Sequence, residues 1–175
     1  MGISLIDAIV GRRSVRAFKE SQITDEELSL LLKAGEYAPS GGGAQSPIII
    51  AVQNKDLIAK LSKMNAAVMG KEGIDPYYGA PTLILVLADK AKPTPVEDGS
   101  LALGSMHLEA HDLGLGACWI HREEQMFETQ EGKALLKEWG FEGDYIGVGA
   151  LIVGYPEKEL PEPPPRVPQR TKVIK

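Results

Sequence analysis

The sequence lacks the features that mark several classes of protein. It contains one cysteine, Cys118, among 175 residues, which excludes an internal disulfide and a cysteine-based zinc or iron–sulfur site. It has no apolar run of the roughly 20 residues that a membrane-spanning helix needs. Its formal net charge is −5 and its pI about 5.3. We therefore expect the molecule as a whole to bind neither nucleic acid nor an anionic membrane.

The N-terminus also lacks the marks of a targeting segment. Residues 1–7 have no basic start and no long apolar stretch, so no signal peptide is expected. Gly2 is compatible with myristoylation, but Ile6 stands where that motif requires Ser or Thr. We expect a reduced, cytoplasmic protein, with residues 1–175 forming one domain of ordinary size.

Local signals predict a series of helices and strands. Capping boxes at Ser4–Asp7 and Thr24–Glu27 predict two helix starts, and Gly114 is placed to end a long helix. The predicted helices span residues 5–11, about 25–38, a short stretch after Asn54, about 97–113, and 130–139. The predicted strands span residues 48–52, 82–88, 117–120 and 146–153.

These elements indicate the fold class. The first two strands are continuous apolar runs, which is typical of strands buried on both faces. Strands and helices alternate, but not as regular βαβ units, so we expect an α+β fold with a central mixed sheet flanked by helices. Residues 156–175 hold half of the chain's 12 prolines and are expected to form an extended tail. Residues 65–81 give no clear pattern.

A basic cluster lies near the N-terminus. Its cations are Arg12, Arg13, Arg16 and Lys19, and no acid stands among them. Forked guanidinium donors match phosphate oxygens two at a time, and Ser14 adds a neutral donor. Taken alone, a solvated basic patch at a helix end explains the cluster better. By itself the cluster indicates an anion site of unspecified kind.

Residues 38–45 form a glycine-rich loop. The three glycines 41–43 permit close approach of the backbone to a flat ligand, and Gln45 offers both a donor and an acceptor. The loop is not a P-loop, because no Gly-Lys-Ser/Thr follows, and it is not a dinucleotide fingerprint, because no strand precedes it. By itself it reads as a plain connector between a helix and a strand.

Taken together, five landmarks in order resemble the nitroreductase family across nearly the whole chain. Residues 12–18 resemble Arg-x-Ser-x-Arg-x-Phe, 38–45 resemble Ala-Pro-Ser-x-x-Asn-x-Gln, 80–81 match an Ala-Pro before a strand, 114–120 resemble Gly-Leu-Gly-Thr-x-Trp-Ile, and 154–156 with 165–166 resemble the C-terminal Gly-Tyr-Pro and Pro-Arg. Two positions depart from the pattern. Gly43 stands where Asn is frequent, and Ser46-Pro47 stands where Pro-Trp is usual.

The resemblance implies FMN bound at the interface of a homodimer. The residues implied at the phosphate and ribityl chain are Arg12, Ser14 and Arg166, with Arg13 near the ribityl and ring edge. The residues implied around the ring are Arg16 at the N1/O2 edge, Gln45 at the pyrimidine edge, Pro39, Ser40 and Gly41 from the other subunit, and the backbone of Ile120, His121 and Arg122 near N5, beside Trp119.

The activity implied is an FMN-dependent oxidoreductase. NADH or NADPH would donate a hydride and leave, and a nitroaromatic, quinone or similar electron-poor small molecule would then be reduced, in ping-pong order. No side chain is assigned as a general acid, because the flavin carries the chemistry. Two other hypotheses stay open: a flavin-binding storage or sensing protein without efficient turnover, and a binder of a phosphate ligand other than a flavin.

Other candidate residues favour simpler interpretations. His107 and His111 have metal-ligand spacing, but the intervening Glu is misplaced for the zinc-protease pattern, so interface or surface histidines are favoured and no metal is expected. Cys118 in an apolar strand is read as a small packed hydrophobe.

Small residues in the long helix, Gly104 among them, predict a helix–helix contact. The tail would be stable on a partner chain, which supports a dimer.

The role given to Arg16 makes a first prediction. A cation beside the flavin N1/O2 edge stabilises the anionic reduced ring, by roughly 4 kcal/mol for about 4 Å at an effective dielectric near 20. Arg16→Ala should therefore retain some FMN but lower its two-electron potential by tens of millivolts. Spectroelectrochemical titration measures this, and an unchanged potential would remove the role.

Overall fold

The computed structural model describes residues 4–175 and places a four-stranded sheet between two layers of helices. Residues 1–3, on which part of the targeting-segment argument rests, lie outside the described residues. The strands are β1 (Pro47–Val52), β2 (Thr82–Asp89), β3 (Gly116–Ile120) and β4 (Tyr145–Gly154). The helices are α1 (Leu5–Gly11), α2 (Asp25–Glu36), α3 (Lys55–Val68), α4 (Pro95–Asp112), α5 (Glu123–Glu128) and α6 (Gln130–Glu138). Within residues 4–175, no helix is both long and apolar enough to cross a membrane.

The sheet has the strand order β1-β2-β4-β3, and each neighbouring pair is antiparallel. The predicted α+β class, with helices flanking a central sheet, is confirmed. The expectation of a mixed sheet is corrected for these four strands. Strands β2 and β3 run in the same direction, but β4 lies between them, so they form no parallel pair. A parallel contact is made by the isolated bridge of Ser14 with Ala117.

The core lies on both faces of β2. Leu83, Leu85 and Leu87 face the layer of α3, α5 and α6, and the alternate residues Ile84 and Val86 face α2 and α4. This alternation follows from the two-residue period of a strand, and it confirms β2 as buried on both faces. The same expectation for β1 was wrong. Residues 47–51 are half-buried, because β1 lies at the edge of the four-stranded sheet, next to β2.

Helix ends are fixed by the residues that predicted them. Thr24 and Glu27 exchange both hydrogen bonds of a capping box, and the Ser4 side chain accepts from the Asp7 amide. Gly114 has φ +73° and donates to the His111 carbonyl at 3.0 Å, while Leu115 donates to Ala110 at 2.8 Å. This Schellman motif turns the chain from α4 directly into β3.

The stretch 65–81 contains structure that the sequence did not predict. Helix α3 continues to Val68, and the loop after it is organised by Asp75. That carboxylate accepts from the Ser62 hydroxyl at 2.6 Å and from the amides of Tyr77 and Gly79 at 2.9 and 2.6 Å. Because the partner on α3 is 13 residues away, no local pattern announces the loop.

The C-terminal stretch leaves the sheet beside the segment that follows α1. Lys19 donates to the Tyr155 carbonyl and Glu157 donates to the Ala17 carbonyl. The Arg13 Nε then donates to the Pro161 carbonyl at 3.2 Å. From residue 161 onward the chain is exposed and has neither helix nor strand.

Candidate functional site

The segment that follows α1 runs alongside the start of β3. The Val15 amide donates to the Ala117 carbonyl at 2.9 Å, and Val15 is buried against Gly116, where a Cβ would lie 2.8 Å from the Val15 side chain. In an extended segment, residues two apart lie on the same side. Arg12, Ser14 and Arg16 therefore share the side opposite Val15, and Ser14 and Arg16 are exposed.

The structure brings Arg166 from the tail to this segment. Partial burial lowers the pKa of Arg12, and the charges of Arg13 and Arg166 lower it further. Among the ion pairs found between residues 4–175, none includes Arg12, Arg13 or Arg166. Arginines gathered without a carboxylate repel one another, and a bound anion would relieve that repulsion.

Arg13 uses its donors differently from Arg12. Its guanidinium donates to the backbone carbonyls of Val10, Arg12 and Pro161. It therefore ties the end of α1 to the C-terminal tail. This contact fixes Pro161, five residues before Arg166, near the end of α1.

His107 supports Arg12 from α4, a role that the sequence did not suggest. The His107 Nε2 lies 3.1 Å from the Arg12 Nη1 and 3.1 Å from the Ala117 carbonyl. Burial, and then the charge of Arg12, lower the pKa of His107 to about 4. One ring nitrogen cannot accept from Arg12 and donate to Ala117 at once. The neutral tautomer with its proton on Nδ1 accepts from Arg12 at Nε2, whereas a charged imidazole would repel Arg12. The expectation of an interface or surface histidine is therefore wrong for His107, which is buried.

The two histidines make separate contacts near the end of α1. No group of three or more potential metal ligands is present within the part of the chain that the structure describes. His111 lies one turn further along α4, against Gly11, where a Cβ would be 2.7 Å from its Nε2. Both histidines thus pack against the region where α1 ends.

The glycine-rich loop is held at its base by Asp98 of α4. The buried Asp98 carboxylate accepts from the Gly41 amide at 2.9 Å, from the Ser46 hydroxyl at 2.6 Å and from the Thr94 hydroxyl at 3.0 Å. The hydrogen bond from Ser46, and then that from Gly41, lower the pKa of Asp98. An acid in a first helical turn is common, so nothing in the sequence singled out this anchor.

The tip of that loop is open. Gly42 and Gly43 have φ values of +59° and +70°, and a Cβ on either would meet no atom within 4 Å. Gln45 also has a positive φ, and its backbone N–H donates to the Ser40 hydroxyl at 2.9 Å. The loop therefore offers bare backbone on one side and is anchored on the other.

The arginine cluster and the glycine loop do not meet within one chain. They contact α4 at His107 and Asp98, which are nine positions apart and thus about 13 Å along the helix axis. Of the site residues predicted from the sequence, Pro39, Ser40, Gly41 and Gln45 stay apart from Arg12.

The far end of β3 forms the other side of the candidate site. The Asn65 side chain donates to the His121 carbonyl at 3.0 Å, and Arg122 has φ +93°, a strained value for a residue with a side chain. Trp119 is 37% exposed and lies across Gly149, where a Cβ would be 2.3 Å from the indole Nε1. From Ala117 to His121, an extended strand spans about 13 Å.

Arg16 lies apart from the other arginines. Its Cζ is 5.9 Å from the centroid of the Tyr78 ring, a distance typical of a cation–π contact. Both side chains are exposed. The charge of Arg16 is thus held near the loop 75–79 by an aromatic face.

The donor set fits FMN. Guanidinium groups gathered without an acid suit a phosphate, and Ser14 suits a polar chain. The open backbone at Gly42 and Gly43 allows approach to a flat ring, and β3 separates the two ends of the site by a length suited to an extended cofactor.

Comparisons with known proteins agree with this geometry. The Nitroreductase family model matches residues 9–155. A protein of Archaeoglobus fulgidus named as a candidate NADH dehydrogenase/NAD(P)H nitroreductase is 33% identical over 159 residues, covering 86% of this chain and 84% of that protein. An FMN reductase [NAD(P)H] of Bacillus subtilis is 25% identical, covering 94% of this chain and 70% of that protein. A crystal structure of a Bacteroides fragilis nitroreductase with bound FMN has a TM-score of 0.90 at 26% identity, covering 99% of this chain and all of that one.

The buried His107 generates a prediction on stability. Its pKa falls from 6.5 to about 4 in the fold, so between these values the unfolded chain binds more protons. The contribution of His107 to the free energy of unfolding should be fully present above pH 6.5. It should be lost as the pH falls toward 4, by up to about 1.4 kcal/mol per pH unit. His107→Gln should remove that slope in urea unfolding. His111→Gln, at a half-buried position, should change it less, and an unchanged slope in His107→Gln would contradict the assignment.

Proposed function

Because this chain belongs to the nitroreductase family, we propose that it is an FMN-dependent oxidoreductase that transfers electrons from NADH or NADPH to nitroaromatics, quinones or similar electron-poor acceptors. The observation that carries the proposal is the arginine cluster of residues 12, 13 and 166, which no carboxylate in the described ion pairs neutralises. Bound FMN in the Bacteroides fragilis nitroreductase and the name of the Bacillus subtilis relative support the cofactor.

The arginine cluster would hold the phosphate end of the cofactor. Arg12, positioned by His107, and Arg166 would donate to the phosphate oxygens, and Ser14 would donate to the ribityl chain. Arg13 already donates to three backbone carbonyls, so its contribution near the ribityl and ring edge would be mainly to hold the tail and Arg166 in place.

The far end of β3 would hold the ring. The backbone of Ile120, His121 and Arg122 would face N5, with Trp119 beside it, while Arg16 and Gln45 would lie at the pyrimidine edge. FMN supplies the hydride-accepting and hydride-donating chemistry when it is bound. The protein residues bind and orient it, and Arg16 stabilises negative charge at N1/O2. No general acid is assigned among them.

We further propose a homodimer in which Pro39, Ser40 and Gly41 approach the flavin from the other subunit. The exposed apolar surface of α1 supports this arrangement, because Leu5 and Ile6 are 70% and 63% exposed and contiguous exposed apolar surface marks interfaces. Residues 1–175 would form one FMN-binding domain, with the tail 156–175 starting along its own chain at Glu157 and Pro161 and continuing onto the partner. The single cysteine fits a reducing compartment such as the cytoplasm.

The alternative function is that of a flavin-binding storage or sensing protein. One spectroscopic experiment distinguishes this function from that of an enzyme. Purified protein should be yellow with FMN bound. It should bleach rapidly with NADH or NADPH and regain colour when a quinone or nitroaromatic is added. Slow bleaching despite bound FMN would favour storage or sensing, and a colourless protein that takes up no added FMN would overturn the proposal.

A substitution at Gly104 tests the proposed dimer. It lies on the outward side of α4, where a Cβ would meet no atom within 4 Å, whereas Ala102 and Ala110 on the same helix are buried in the core. Gly104→Leu should weaken a dimer that packs closely on this helix, as measured by sedimentation. Ala134→Leu, at an exposed position of α6, is the matched control. A wild-type monomer that binds FMN tightly would exclude the dimer.

A further inference from the structure

A fully enclosed polar cluster lies directly beneath the end of β3. It contains Glu123 at the start of α5, Asn65 on α3 and Tyr77 in the loop that follows α3. The exposed fraction of each of these three residues is 0%. Ionisable side chains are almost never buried so completely without a partner, so the cluster requires an explanation.

The hydrogen bonds in this cluster are incomplete. The Asn65 Nδ2 donates to the His121 carbonyl at 3.0 Å and lies 3.4 Å from the Glu123 Oε1, and the Tyr77 hydroxyl lies 3.5 Å from the same oxygen. Two buried atoms, the Asn65 Oδ1 and the Glu123 Oε2, have no hydrogen-bond partner in the part of the chain that the structure describes. If Glu123 were ionised, both would be acceptors lacking a donor.

The surroundings do not neutralise a charge on Glu123. No ion pair between described residues includes it, and the nearest cation, the half-buried Arg122, stabilises its charge only weakly. The loop after α3 contributes Tyr77, whose hydroxyl is also affected by the negative charge of Asp75. Helix α3 contributes the neutral Asn65. Strand β4 presents the backbone of Gly147, where a Cβ would lie 2.3 Å from the Glu123 carbonyl carbon. Helix α6 meets α5 further on, through Gly132.

Burial favours the protonated form of Glu123, as the incomplete hydrogen bonds of the cluster require. Removal from water raises the pKa of Glu123 from 4.5 to about 8, because desolvation outweighs the hydrogen bonds from its own backbone amide, from Tyr77 and from Asn65. At neutral pH the side chain therefore carries a proton, and a protonated carboxyl group has one donor.

We infer that Glu123 is a neutral carboxylic acid whose hydroxyl donates a hydrogen bond to the Asn65 amide oxygen, and that this acid–amide pair positions the His121 carbonyl. The pair would satisfy both orphaned atoms at once. The Glu123 hydroxyl would donate to the Asn65 Oδ1, one Nδ2 hydrogen would point to the Glu123 Oε1, and the other donates to His121. Since residues 120–122 are the segment proposed at the flavin N5, the positioning role rests on the proposed function. The acid–amide pair itself does not.

The first experiment uses the FMN-free protein, with unfolding by urea from about pH 5 to about pH 9. Glu123→Gln preserves the pair, because its amide can donate to Asn65 without titrating. Between pH 4.5 and about 8, the native acid holds a proton that the unfolded chain releases. The unfolding equilibrium constant of the wild type should therefore rise about tenfold per pH unit relative to Glu123→Gln, and level off above the folded pKa.

The matched control is Glu128→Gln, the same change at an exposed position of α5, which should follow the wild type at every pH. The opposite result is equally clear. If Glu123→Gln is less stable than the wild type at about pH 8, the carboxylate is ionised and satisfied in the fold, and the inference is wrong. A pH dependence parallel to that of the wild type would also overturn it.

The second experiment tests positioning through the affinity for FMN, measured by fluorescence quenching at about pH 6.5. Glu123→Gln should bind FMN within about twofold of the wild type, whereas Glu123→Ala and Asn65→Leu should lose roughly tenfold while remaining folded. Wild-type affinity in both disruptive variants would limit the pair to a structural role and overturn the positioning role. If the wild type itself binds no FMN, the proposed function fails, and the urea experiment still decides the state of Glu123.

Discussion

Strand β4 can occupy the middle of this sheet only because it has no side chain where three neighbours cross it. At Gly147 the backbone of α5 begins against the strand, at Gly149 the Trp119 indole lies across it, and at Gly154 it meets Pro81 and Phe18. A Cβ at Gly147 or Gly149 would come within 2.3 Å of its neighbour, which is far inside van der Waals contact. The path of the chain from β3 into α5, and hence one end of the candidate site, depends on these close approaches.

The two ends of the site share an electrostatic principle. At one end the buried His107 stays neutral beside Arg12, and at the other a buried glutamic acid is proposed to stay neutral beneath the end of β3. For His107, burial removes a positive charge that would repel Arg12. For Glu123, it removes a negative charge that would offset the charge of the arginines. The fixed field at the site is therefore set by guanidinium groups, which do not titrate near neutral pH. Such a field suits a phosphate at one end and a ring that gains negative charge at the other.

What the sequence could predict was the part of the structure encoded locally. The capping box at Thr24–Glu27, the Schellman turn at Gly114 and the apolar run of β2 each act over a few residues, and each was visible. Asp98, His107 and Glu123 act through contacts with residues 46 to 95 positions away, which no periodicity encodes. His107 was misread for this reason: it was expected at an interface or on the surface, whereas it is buried and its partner is an arginine on another segment. The family motifs indicated where a flavin would lie, but the residues that brace those motifs became visible only in three dimensions.

The burial of Cys118 has a chemical consequence for a protein proposed to reduce quinones. Quinones are electrophiles that add to accessible thiolates, and thiol reactivity depends on exposure and on ionisation. The single thiol of the sequence is 1% exposed and faces the core beneath the sheet. An enzyme with this architecture presents no nucleophilic sulfur to its own acceptors, and would therefore resist covalent self-inactivation during turnover.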